Sequence, residues 1–350
     1  MSAALESGAL GLFPSFSGVG GVERSGRIAW NSVASAWSGD AHVICYGASV
    51  LPRDVTGGTV HHAGTQAMAV IRASSRKWPV RLILVWHIGM LKLLPFVRAR
   101  GARVALFLHG IEAWRRPSQA TARLLRNVDL FLTNSDFTWA RFLEFHLELS
   151  GALHRTVHLG VGAPLGGAPA VPADPPSALM IGRIARSEGY KGHDAVIAAW
   201  PQVLERIPGA KLRIIGPCDT RDELLARTAD LQVEILGAVS EEEKERYLAE
   251  CRVMALPSRG EGFGLVYPEA MRMGRPCIVS TADAGREVVG EAGLAVDPSA
   301  VAQLAPALVR TLTAGPEWDA WSQAARARYE SRYTEAHFRG RLLSALAALL

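Results

Sequence analysis

Short apolar runs rich in β-branched residues alternate with longer stretches of helical periodicity along most of the chain. That rhythm calls for parallel strands joined by crossover helices, because strands buried on both faces read as continuous hydrophobic runs. The fold class is therefore α/β. Strands are predicted over residues 9–13, 42–46, 82–86, 103–108, 130–134 and 156–159. Residues 160–177, reading GVGAPLGGAPAVPADPPS, are too dense in Gly, Pro and Ala to continue a strand or a helix. The rhythm then restarts with strand 178–181, helix 194–206, strand 211–215, helix 222–230, strand 233–236, helix 241–250 and strands 253–257 and 276–280. Two Rossmann-like, doubly wound units in tandem are expected, with the boundary near residue 165. At 350 residues and 49% hydrophobic content the chain has enough apolar surface for two such cores.

The same composition narrows the setting. The longest uncharged apolar runs, 82–91 and 342–350, fall short of the roughly 18 to 20 residues a membrane-spanning helix needs. Glu6 stands where a basic leader segment would begin, and the apolar run at 9–13 is short for a secretory leader, so export is not expected. Cys45, Cys218, Cys251 and Cys277 are scattered without a CxxC pair, which speaks for a reducing compartment and against a zinc site. A cytoplasmic protein is the expectation.

Net charge is +5, but it is unevenly spread. Residues 1–170 hold 17 Lys and Arg against 9 Asp and Glu, net +8, leaving 21 against 24, net −3, for the remainder. The cations gather at Arg72, Arg76, Lys77, Arg81, Lys92, Arg98, Arg100 and Arg103, then Arg115, Arg116, Arg123 and Arg126. Such a pattern suits contact with an anionic membrane surface or a phosphorylated partner, or else is a scattered solvated face. No stacking aromatics alternate with the charges, so nucleic acid is not an expected partner.

The most informative stretch is PSRGEGFGLVYPEAMRMG, from Pro257 to Gly274. A strand ends, a glycine-rich loop follows, and Pro268 falls in the first turn of a helix. Gly262 and Gly264 admit close approach of a ligand to the backbone, and amides at a loop-to-helix junction favour an anion such as a diphosphate. Glu261 and Glu269, eight residues apart, suit sugar or ribose hydroxyls, which carboxylates accept from. Upstream, Arg183 follows the first strand of the second unit, and Lys191 lies eight residues on, in EGYKGH. Two cations across a loop can bracket one diphosphate and neutralise a departing nucleotide, a task metal ions perform elsewhere. No Asp-x-Asp occurs, in keeping with a site that needs no metal or other cofactor. In the first unit, Gly18 to Arg24 reads GVGGVER, where Glu23 breaks the dinucleotide fingerprint G-x-G-x-x-G. His109, in HGIE, closes the strand 103–108, at the end where ligands gather in open α/β sheets.

These residues resemble the family 4 (group 1) retaining glycosyltransferases of the GT-B fold. The resemblance rests on GR followed by EGYKGHD, the IIG strand end, LGAVS, PSRGEGFGLVYPEAMRMGRPCI and REVV, and more loosely on GVGGVE, HGIE and TNSDFT. It implies two Rossmann-like domains facing a cleft: residues 1–165 for the acceptor, 166–332 for the sugar nucleotide, and a final helix, 333–350, packing back on the first domain. By position, Glu269 is implied as ribose ligand and Glu261 as the residue near the donor sugar. Arg183 and Lys191 form the diphosphate clamp, with backbone amides of Gly262, Phe263, Gly264 and Leu265 facing sugar and phosphate. Val239 falls near the base. Gly20 and Gly21 close over the diphosphate, and His109 reaches the donor sugar. The implied activity is retaining transfer of a hexose from a GDP- or UDP-linked donor to a lipid-linked or polysaccharide acceptor in surface glycan assembly, at the inner face of the membrane. A nicotinamide oxidoreductase, a noncatalytic sugar-nucleotide binder, and an epimerase or hydrolase of the same fold are the competing readings.

Overall fold

The computed structural model describes residues 8–18, 20–37, 40–46 and 52–350. Glu6 and Val19, which entered the sequence reading, lie outside them. The chain divides into two compact units, Met1–Gly160 with Glu335–Leu350, and Val161–Thr334.

The first unit is built on a seven-stranded parallel sheet in the order β3-β2-β1-β4-β5-β6-β7. Its strands are β1 Gly8–Phe13, β2 Ala41–Tyr46, β3 Thr59–Ala63, β4 Val80–Val85, β5 Arg103–Leu108, β6 Leu130–Thr133 and β7 His154–Thr156. The helices are α1 Gly21–Ala36, α2 Gln66–Ser74, α3 Gln119–Leu125 and α4 Asp136–Leu143. Every residue of β1 is buried, as a central strand covered on both faces requires. Leu10, Leu12, Ile44, Ile83, Val85, Leu106 and Phe131 share one core cluster. The clustered cations foreseen from the sequence, Arg72, Arg76, Lys77, Arg81, Lys92, Arg98, Arg100 and Arg103, are all exposed.

The second unit has six parallel strands in the order β10-β9-β8-β11-β12-β13. They are β8 Ser177–Ile181, β9 Lys211–Ile215, β10 Val233–Gly237, β11 Val253–Leu256, β12 Cys277–Ser280 and β13 Gly293–Val296. Helices α5 His193–Arg206, α6 Arg221–Arg227, α7 Glu241–Glu250, α8 Val266–Arg272, α9 Gly285–Val289, α10 Val301–Leu312 and α11 Pro316–Arg332 complete it. Trp200, Leu212, Ile214, Ala255 and Leu308 centre its core, each large apolar side chain worth about 1.5–3 kcal/mol of burial. The last helix, α12 Glu335–Ala347, belongs to the first unit, where Phe338 is fully buried with its ring 6.4 Å from Trp86.

Two predicted elements need correction, and two strands were not foreseen. The strand expected at 156–159 lies two residues earlier, because Phe131 to Thr133 of β6 pair with His154, Arg155 and Thr156, a polar triplet without an apolar signal. The strands β3 and β13 were not anticipated. Both are sheet edges, paired on one side only, and neither carries a long apolar run. The helix expected at 222–230 stops at Arg227, where the Thr228 N–H turns back to the Leu225 carbonyl at 3.2 Å.

Candidate functional site

In each sheet the chain winds outward from one central strand, then returns to that strand's other side. The reversal falls between β1 and β4 in the first unit and between β8 and β11 in the second. Loops leaving two such strands diverge to opposite faces, opening a crevice at their carboxyl ends. In the second unit those loops carry Gly182 and Arg183 after β8, and residues 257–265 after β11.

Glycine makes the crevice's walls close. Gly216 has φ +145°, and a Cβ there would lie 2.1 Å from the Gly182 carbonyl oxygen. Gly192 has φ +82°, and a Cβ there would lie 2.6 Å from the Pro257 oxygen. The Arg259 N–H donates to the Tyr190 carbonyl at 2.7 Å. The turn Arg186–Lys191 is thereby clasped to the loop after β11, and Lys191 is laid over the end of β8. A Cβ on Gly182 would be 3.2 Å from Lys191 Cδ and 3.5 Å from Nζ.

Arg183 and Lys191 are joined by a residue to which the sequence reading gave no role. Glu188 places Oε1 3.7 Å from Arg183 Nε and Oε2 3.3 Å from Lys191 Nζ. The Arg183 side chain is 61% exposed, whereas Lys191 is 18% exposed, so the pair offers one mobile and one held cation. Beside them His193 is buried. Burial, reinforced by Lys191, pulls its imidazole down to about 4, so it is neutral at pH 7.

The glycine-rich loop is fixed from below. Gly264 has φ +75°, and a Cβ there would lie 2.4 Å from the Tyr267 ring. That ring is fully buried, and its hydroxyl donates to the Leu256 carbonyl at 3.0 Å. Phe263 turns inward, 2% exposed and edge-on to Tyr333 at 5.8 Å. Glu261 is tied to the loop after β12 at two points. Its N–H donates to Asp283 Oδ2 at 3.2 Å, and its carbonyl accepts from the Ala284 N–H at 3.1 Å. Burial pushes the Glu261 carboxyl up, opposed by Lys191 and reinforced by Glu188. Burial likewise lifts Asp283 to about 7, against the backbone N–H bonds it accepts from Gly285 and Glu261.

Glu269, in the first turn of α8, is 6% exposed and accepts from Lys244 Nζ at 3.1 Å. Lys244 comes from α7, whose Ser240 and Glu243 form a capping box, and half-buried Val239 immediately precedes that cap. The loop bearing Val239 and the helix bearing Glu269 are thus linked through one buried ion pair. Lys244, Glu188 and Asp283 were missed by sequence reasoning because nothing in their spacing announces a partner about 20 residues away or across a turn.

His109, Gly20 and Gly21 belong to the first unit. The His109 Nε2–H donates to the Trp86 carbonyl at 2.7 Å, which fixes the tautomer and leaves Nδ1 as an acceptor. Burial lowers its pKa to about 4 despite Glu112 nearby. Glu112 accepts from the His109 N–H at 2.6 Å and the Gly110 N–H at 3.2 Å, and Asn134 Nδ2 donates to the His109 carbonyl at 2.6 Å. Gly20 caps α1, and a Cβ on it would meet Glu23 Oε2 at 2.6 Å. The carboxylate thus complements the partial positive charge of the helix start. Among the described residues, no three His, Cys, Asp or Glu side chains gather into a set able to hold a metal ion.

Residues 175–314 match the family Glycosyl transferases group 1. That match covers 140 of the 350 residues. Its relatives include a GDP-mannose-dependent monoacylated alpha-(1-6)-phosphatidylinositol monomannoside mannosyltransferase of Corynebacterium glutamicum, 33% identical over 41% of this chain and 40% of that protein. A phosphatidyl-myo-inositol mannosyltransferase of Mycolicibacterium smegmatis is 33% identical over 40% of this chain and 37% of its own. An O-antigen chain mannosyltransferase B of Escherichia coli is 36% identical over 27% of this chain and 24% of its own. The alignments span about two fifths or less of these relatives' length. Whole-chain likeness is found at the level of fold. Anabaena HepE, solved with UDP and glucose, superposes with a TM-score of 0.75 at 19% identity, covering 98% of this chain and 100% of that one. A sucrose-phosphate synthase from Thermosynechococcus elongatus gives 0.76 at 21% identity, covering 98% and 100%. The fold is GT-B, and the group 1 region contains the two cations, the glycine loop and both glutamates.

Proposed function

We propose that the protein is a retaining hexosyltransferase that moves a sugar from a nucleoside-diphosphate donor to a lipid-linked or polysaccharide acceptor, without a metal ion. The observation that carries this reading is the convergence of Arg183, Lys191 and the 257–265 loop at the carboxyl ends of β8 and β11, where the sheet order reverses. The GDP-mannose named for the Corynebacterium glutamicum relative, and the mannosyl transfer named for the Mycolicibacterium smegmatis one, favour GDP-mannose as donor. Their lipid acceptors, with the exposed cations of the first unit, favour work at the inner face of an anionic membrane. No described helix is long and apolar enough to cross a membrane.

In the proposed reaction the bond between the anomeric carbon and the diphosphate oxygen breaks as the acceptor oxygen bonds to the same face of that carbon. The acceptor proton passes to a phosphate oxygen of the departing diphosphate. Negative charge grows on the leaving group, and positive charge grows on the sugar ring. Preorganised cations and amides serve the first need at little reorganisation cost, which is where most catalytic stabilisation arises. Lys191, held at the strand end, and the exposed Arg183, paired with Glu188, act as the clamp. Glu269 binds the ribose, Glu261 orients the donor sugar, and Val239 flanks the base. Gly20 and Gly21 contact the diphosphate, and neutral His109 accepts from a donor hydroxyl through Nδ1.

Substitution tests the assignment. Lys191→Ala and Glu269→Gln are each expected to lower sugar transfer at least tenfold with unchanged circular dichroism. Near-normal turnover in both would overturn the reading. The glutamine variant is preferred to alanine because it keeps a hydrogen-bonding partner for buried Lys244.

A further inference from the structure

Glu188 combines four features that the reaction itself does not need. Its carboxylate stands between the two cations assigned to the donor diphosphate, 3.7 Å from Arg183 Nε and 3.3 Å from Lys191 Nζ. Its backbone, φ −115° and ψ 24°, breaks the helical geometry of the short turn Arg186–Lys191. It lines a side cavity of about 130 Å³, shared with His193 and with two arginines that already hold carboxylates, Arg186 on Glu223 and Arg227 on Asp194, each at 3.1 Å. In that cavity's wall His193 is 5% exposed, and its Nε2 has no hydrogen-bond partner among the described residues.

We propose that Glu188 is a displaceable counterion: it neutralises Arg183 and Lys191 until a nucleoside diphosphate takes its place, then turns into the side cavity toward the unpartnered Nε2 of His193. The inference rests on the diphosphate reading of the clamp and adds to it a control on how tightly the product is held. Both the carboxylate and a phosphate oxygen would seek Lys191 Nζ. Two anions on one ammonium repel each other strongly where water is scarce. The diphosphate therefore binds only by moving Glu188, and Glu188 returning to its cations helps expel the product. An unpartnered buried imidazole beside Arg186 supplies the seat that makes the movement feasible, since a buried polar atom gains from a hydrogen bond it lacks.

Calorimetric titration and stopped-flow release of GDP and of UDP test this on the wild type and on Glu188→Gln, with guanosine and uridine as controls. The expected result is at least fivefold tighter binding of the accepted diphosphate to the variant, with slower release, while the bare nucleoside binds both proteins alike. Glu188→Ala should shift affinity in the same direction. Equal or weaker diphosphate binding to both variants, with the wild type still binding, would overturn the counterion role and leave the clamp standing. Binding of neither diphosphate by folded wild type would overturn the clamp and the counterion together.

Discussion

Burial, more than any neighbouring charge, holds His109 and His193 neutral with pKa values of about 4. A depressed folded-state value gives stability that is present above the unfolded value, near 6.5, and is lost as pH falls toward 4. His109→Gln should therefore lose less stability on acidification than the wild type, by about 2–3 kcal/mol between pH 7 and pH 4. Urea unfolding at the two pH values measures it, and parallel losses would contradict the assignment. Asp283 works in the opposite sense. Its value, raised by burial to about 7, means that its contribution is full below the ordinary carboxylate range and lost as pH rises through 7. Comparing single variants isolates one group from the other. At this scale the sequence showed which residue types were present in the loops, and Arg183, Lys191, Glu261 and Glu269 could be picked out. It did not show Glu188, Lys244 or Asp283 as their partners, because those pairings arise only when separate turns and helices meet.

Elements in the sheet centres were legible because a strand buried on both faces must be apolar throughout, as β1, β5, β11 and β12 are or nearly are. Edge strands β3 and β13 escaped because one-sided pairing lifts that demand. The loop before α8 is tightly specified by Gly264, whose positive φ and contact with the Tyr267 ring leave no room for a side chain. Gly264→Ala should cost about 1–3 kcal/mol from backbone strain and a displaced ring. Thermal melting checks the loss, and donor affinity should fall with it. A different kind of support lies behind α7. Arg275, fully buried, donates through Nε to the Leu248 carbonyl at 3.1 Å and through Nη2 to the carbonyls of both Ala249 and Ala170. It thereby caps the end of the helix that delivers Lys244 to Glu269. Arg275→Met should destabilise the protein by about 3 kcal/mol, since three carbonyls lose a charged donor. A chemical-denaturation midpoint equal to that of the wild type would sink this account.

Across the whole molecule, cations crowd one unit and a group 1 glycosyl transferase region occupies the other. Residues 55–111 contain eight Lys and Arg and no Asp or Glu, all eight exposed. If that face meets lipid, the protein should sediment with vesicles containing anionic phospholipid at low salt, and release as ionic strength rises. Absence from anionic vesicles at every salt concentration would remove the membrane from the proposal without touching the donor site. The donor site itself is the central claim. Its most direct test is the melting temperature of the wild type and of Lys191→Ala against GDP, UDP, GDP-mannose and UDP-glucose, with a chelator present throughout. The account predicts that one nucleotide family raises the wild-type melting temperature by several degrees and that the variant loses most of the rise. No shift with any of the four, in a protein that melts cooperatively, would contradict it.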